Sequence, residues 1–216
     1  MTGSKASTST LWRLLREYLG IDRRGRRLPI VDIDSLRHFL ETRASHVAQT
    51  SLYGYVRTRA GTRYPELFEN DDFIASINIA KWQLWLACLS DLSVYAGGLL
   101  QHRTDEDPET VGAVISAAAE AALAATGTPP DAGEAFADGV ATLRKRLAAT
   151  DWAEVTDDEE PFSASPEALV EWAPIVDELK QYDTEIVRNS VRYRWQEVRR
   201  DLRRDLDADA VLAADR

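Results

Sequence analysis

The stretch from Phe73 to Ala96 is long and apolar enough to span a bilayer, yet it contains Asn78, Lys81, Gln83 and Asp91. A Lys or Asp at mid-bilayer costs roughly 2.5 to 3.5 kcal/mol on insertion scales, so the segment reads instead as a helix buried in a protein core. A helix that is apolar on most sides needs partners on most sides. Elsewhere apolar residues recur at spacings of three and four, and no run of six alternates apolar and polar positions with β-branched enrichment. The expected fold is all-α, a single helical-bundle-like domain of about six helices around the 73–96 helix. Trp82 and Trp85 are expected to help fill its core.

Local signals place the other helices. Leu11, Leu14, Leu15, Tyr18 and Leu19 mark a short, peripheral amphipathic helix from Ser9 to Leu19, stopped by Gly20. A second begins at Asp32 or Asp34 and runs through Leu36, Leu40, Ala44 and Val47 toward Tyr55, with Gly54 loosening its end. Thr58 to Pro65 is a connection, and the apolar helix ends at Gly97-Gly98. Asp107-Pro108-Glu109 starts an alanine-rich helix that Gly127 ends. Phe136, Val140, Leu143 and Leu147 mark another to about Ala149, and Ser165-Pro166-Glu167 opens a short one that Pro174 interrupts. A long final helix from about Pro174 carries the stripe Val187, Val191, Trp195, Val198, Leu202 and Leu206. The chain divides into a basic segment at 1–31, a helical domain at 32–207 and a tail at 208–216 expected to fray.

Charge is segregated along these elements. Of the net charge of -10, residues 1–31 carry +5, 32–103 carry -1, 104–186 carry -16 and 187–216 carry +2. Such an acidic middle repels phosphates over much of the surface, which argues against nucleic acid as a partner. A lone cysteine, Cys88, excludes a disulfide framework, and arginines interrupt the N-terminal apolar stretch too often for a signal peptide. A cytoplasmic location is expected, with peripheral placement on the inner face of a membrane as a variant.

Few residues suggest chemistry. Nucleophile-elbow, phosphate-loop and dinucleotide-binding patterns are missing, and Cys88 sits among apolar neighbours that disfavour a thiolate. Lys81 and Asp91 project from the apolar helix among apolar residues, where burial can turn a lysine into a base and a carboxylate into an acid. The favoured reading is that each meets an opposite charge from a neighbouring helix, or that the lysine snorkels. Arg57, Arg59 and Arg63, with Tyr64, surround Gly61 in a connection that leads into this helix, a pattern suited to binding an anion or to pairing Asp91, although the nearby Glu66, Glu69, Asp71 and Asp72 favour an internal salt-bridge network. His38 with Glu41 and His102 with Asp105 have the three-residue spacing of helical metal ligands, although no full metal set follows and neither metal nor cofactor is expected. The run Asp157 to Glu160 reads as a solvated loop. Trp12, Arg13 and Arg16 on the first helix, followed by Arg23, Arg24, Arg26 and Arg27, combine apolar and basic groups as an interfacial membrane helix or a docking segment does.

These features favour a non-catalytic helical adaptor or regulatory protein. It would act by association with another protein or a second copy of itself, or by contact with an anionic membrane surface. The alternative is an enzyme or small-molecule binder whose inter-helix pocket uses Lys81, Asp91 and the arginine connection on an anionic, partly apolar ligand.

Overall fold

A computed structural model describes residues 29–214. Helix α1 spans Ile33–Ala60, and a 3-10 turn at Gly61–Arg63 leads to the short α2, Tyr64–Leu67. The central helix α3 spans Asp71–Arg103, followed by α4 at Pro108–Thr126, α5 at Ala135–Ala149 and α6 at Ala164–Trp172. A single turn, α7 at Asp177–Lys180, precedes α8 at Thr184–Asp205 and the terminal α9 at Ala208–Ala213. The described residues are thus all-α and contain no strand, with six helices of seven residues or more in a bundle that has α3 at its centre. None of them is long and apolar enough to cross a membrane.

Helix α1 starts where a capping box predicts. Ser35 N–H donates to Asp32 Oδ1 at 2.7 Å, and Ser35 Oγ accepts from the Asp32 amide at 3.1 Å. Its buried stripe, Leu36, Leu40, Ala44, Val47, Ala48, Leu52 and Val56, lies on α3. Gly54 does not loosen it. The helix continues five residues past Tyr55 and stops at Gly61, whose φ of +56° favours glycine.

The central helix likewise runs through Gly97-Gly98 instead of ending there. A Cβ at Gly97 would lie 2.3 Å from the Trp152 ring, and one at Gly98 would lie 2.4 Å from Val155. Gly112 on α4 presents the same constraint, with its Cβ position 2.7 Å from Trp152 Nε1. The glycines are a notch for the strap at 150–163, which crosses α3 and packs the Trp152 indole between α3 and α4. Within that strap Asp157 is an anchor, not a free acid. It accepts from Tyr95 Oη at 2.5 Å and pairs with Arg203 at 2.6 Å, while burial and this carboxylate push the Tyr95 phenol up to about 12.

The final helix begins ten residues after Pro174. Arg59 at the end of α1 donates to the Leu179 carbonyl at 2.6 Å and pairs with Asp183 at 2.7 Å, and Tyr55 Oη donates to Asp183 at 3.1 Å. These bonds hold the 177–183 segment against α1 as a separate turn. From Thr184 onward the expected stripe is buried, with Val191, Trp195 and Leu202 at 1% exposure or less.

The 208–216 segment was expected to fray, and the structure corrects this for its first six residues. Asp207 caps α9 by accepting from the Ala210 amide, and Val211 and Leu212 are buried. At the same end Ile30 joins Leu206 in an isolated parallel bridge, its N–H donating to the Asp205 carbonyl at 2.8 Å and its carbonyl accepting from Asp207 at 2.9 Å. The start of the described chain is therefore tied to the C-terminal end of α8.

Trp85 is 3% exposed and packs edge-on against the half-buried Trp82, with ring centroids 5.9 Å apart. Trp85→Ala should cost about 3 to 5 kcal/mol, as large aromatic truncations in cores do. Chemical denaturation measures this, and an unchanged midpoint would show that the site collapses around the loss.

Candidate functional site

The ionisable groups singled out on α3 do not meet in one cavity. Asp91 is fully buried, and its partner is Arg146 of α5, at 2.6 Å, not the arginine connection before α3. The same carboxylate accepts from the Ala164 amide at 3.0 Å and the Ser165 amide at 2.8 Å, the first residues of α6. Ser163 supplies no side-chain cap of its own, so Asp91 caps α6 from another helix. Burial pushes the Asp91 carboxyl up from its ordinary value, while Arg146 and the Ser165 hydrogen bonds pull it back.

Lys81 lies about 15 Å further up the helix, at about 1.5 Å per residue. Its ammonium meets Asp131 at 3.1 Å and Asn78 at 3.4 Å, and sits 4.6 Å from the centre of the Trp82 ring. Asp131 also accepts from Trp82 Nε1 at 2.8 Å. Between Lys81, Trp82, Trp85 and the α1 residues Ser45, Ala48 and Gln49 there is a gap of only 10 Å³, room for about one water. Cys88 is buried, and desolvation raises its thiol well above the ordinary value, so it stays protonated and inert as a nucleophile.

The arginine connection is also dispersed. Arg57 is exposed, Arg59 is engaged by the 177–183 segment as described, and Arg63 faces Glu66 at 3.5 Å. Tyr64 packs edge-on against Phe68, with centroids 5.2 Å apart.

The histidine pairs are not assembled as ligand sets. Glu41 pairs with Arg37 at 2.8 Å beside an exposed His38. His102 Nε2 lies 2.8 Å from the Val155 carbonyl, and Asp105 falls beyond the end of α3, so the helical spacing assumed for that pair does not apply. Among the described residues no group of three or more His, Cys, Asp and Glu side chains is placed to hold a metal ion. Trp12, Arg13, Arg16, Arg23, Arg24, Arg26 and Arg27 lie outside the described residues.

What the structure does assemble is a surface. Of the large apolar side chains left exposed, Val31 lies beside the Ile30 bridge, whereas Phe68, Val176, Leu179, Tyr182, Ile186 and Tyr193 belong to the opposite end and the adjoining flank of α8. Phe68 meets Phe73 edge-on at 5.5 Å, and Phe73 lines an open cleft of 400 Å³ with Asn70, Asp72, Ser76, Pro174, Ile175 and Val176. The band continues from this cleft over α7 to α8. On α8, Ile186 (71% exposed) and Tyr193 (72% exposed) lie about 150° round the helix from the buried stripe, at about 100° per residue. Its rim is acidic: Glu66, Glu69, Asp71, Asp72, Asp177 and Glu178 are all exposed.

Sequence reasoning found the buried stripe of α8 but missed this second one. Its signal was present in Ile186 and Tyr193, which share a helix face at a spacing of seven. No protein-family model matches the chain, and comparison with curated proteins and with solved structures gives no match either.

Proposed function

We propose that this protein is a helical adaptor or regulatory protein that works by protein–protein association through the band from Phe68 and Phe73 to Tyr193, with a second copy of itself as the first partner. The observation that carries this reading is the gathering of exposed large apolar residues into one acid-rimmed band. Scattered exposed hydrophobics need no explanation, but contiguous ones mark interaction surfaces. The dispersal of Lys81, Asp91, Arg59 and Arg63 into separate ion pairs supports association over a pocket for an anionic ligand. An acidic rim also suits a protein partner better than an anionic lipid surface.

Replacing Tyr182 and Ile186 together by glutamate tests the reading. Both side chains are more than 70% exposed, so the melting temperature should stay within a few degrees of the parent. The parent should show a concentration-dependent mass above the 24.2 kDa of one chain in sedimentation velocity, and the double variant should remain at one chain. Equal masses for the two proteins at every concentration would contradict self-association through this band.

A further inference from the structure

The band has a chemical complement within the same chain. Its centre is aromatic and aliphatic and its rim carries exposed carboxylates, so its fitting partner is a basic amphipathic helix. Residues 1–31 carry a net +5, with Leu11, Trp12, Leu14, Leu15, Tyr18 and Leu19 preceding four arginines between 23 and 27. Of the rim carboxylates, Glu66 and Asp177 have ion pairs, at 3.5 and 3.7 Å, and no ion pair within the described residues engages Glu69, Asp71, Asp72 or Glu178.

Attachment geometry decides which copy supplies the segment. The described chain begins beside the C-terminal end of α8, where Ile30 bonds to Asp205 and Asp207, whereas the band runs from Tyr193, about midway along α8, to beyond its N-terminal end. The 22 residues of α8 span about 33 Å. From Leu206 back to Ile186 is about 30 Å along α8, so the ten residues from Gly20 to Pro29, at most about 33 to 36 Å when fully extended, leave little slack for laying residues 9–19 over Ile186, Tyr182 and the cleft of their own copy. In a two-fold pair with the α8 helices antiparallel, each band lies beside the point where the other chain's Ile30 departs. A two-fold exchange of this kind closes on itself and exposes no further site.

We propose that the segment Ser9 to Arg27 of one copy docks on the Phe68-to-Tyr193 band of a second copy, in a reciprocal two-fold dimer. Its leucines cover Ile186, Tyr182 and the cleft beside Val176, and the arginines at 23–27 meet the acidic rim. The inference rests on the association reading above and specifies its occupant.

Complementation between two full-length variants tests it. Leu14→Glu damages the segment and leaves the band intact, and Ile186→Glu does the reverse. In sedimentation velocity the parent should run at twice the 24.2 kDa chain mass, and each variant alone should run as a single chain. An equimolar mixture should recover a dimer held by one intact site, weaker than the parent and weakened further by salt. Far-ultraviolet circular dichroism of both variants, matching the helical spectrum of the parent, verifies folding.

A mixture that stays monomeric would replace segment exchange with direct packing of two α8 faces. If Ile186→Glu dissociates the protein and Leu14→Glu does not, the band remains an interface and this occupant is wrong. If neither substitution changes the mass, the association reading falls with it. A monomeric parent whose binding to anionic vesicles requires Leu14 would assign the segment to a membrane and overturn the proposal.

Discussion

Asp91→Ala should destabilise the protein by about 3 to 5 kcal/mol, the range seen when one member of a buried ion pair is removed. The carboxylate is 0% exposed and serves three donors at once. Its loss leaves the Arg146 guanidinium without its counter-charge and leaves the Ala164 and Ser165 amides unpaired at the start of α6. The damage should extend to α8, because Trp195 Nε1 donates to Ser165 Oγ at 3.0 Å, and the Trp195 ring lies 4.7 Å from that of Phe162. Arg146→Ala should cost a similar amount by stranding the carboxylate. Replacing both by apolar residues of similar volume should cost less than either single change, since the remaining charge disappears. Urea unfolding of the three variants measures this, and a loss below about 1 kcal/mol for Asp91→Ala would mean that water reaches the site.

Gly97→Val should be the most damaging substitution at a position that ordinary helix propensity would favour. Replacing a mid-helix glycine commonly gains up to about 1 kcal/mol. Here the added Cβ alone would sit 2.3 and 2.5 Å from two Trp152 ring carbons, and 3.2 Å from Ile115. Either Trp152 leaves the α3–α4 notch or α3 bends, and the expected cost is about 3 kcal/mol, the upper end for overpacked cores. The cause is checked by coupling: Gly97→Ala should be costly alone and nearly neutral beside Trp152→Ala, which vacates the space. Additive effects in that double-mutant cycle would show that the glycine serves another purpose.

These two sites mark where local sequence signals stopped being sufficient. Spacing and caps located α4 and α5 closely, because Asp107, Pro108 and Gly127 act within a turn of the residues they cap. Gly97-Gly98 has the local signature of a helix end, and what keeps the helix going is an indole from more than fifty positions later. Asp91 was legible as a buried charge, but its partner was not. Arg146 looks in sequence like a solvated residue near the end of an amphipathic helix, and only the packing of α5 on α3 brings it to 2.6 Å. The same holds for Asp183, which draws Arg59 away from any anion site and breaks the expected final helix. The band on α8 was readable in principle, but the stronger Val187-to-Leu206 stripe on the opposite side dominates the periodicity.

The apolar band is most directly tested on the side chains that form it. Hydroxyl-radical footprinting of the full-length protein reads the solvent access of Tyr182, Ile186 and Tyr193 individually, and it should be run below and well above the concentration at which mass begins to rise. Oxidation of these three residues should fall as the protein concentrates. Equal oxidation of Tyr182, Ile186 and Tyr193 at both concentrations, in a protein whose mass has risen, would place the interface elsewhere and contradict the assignment of this band.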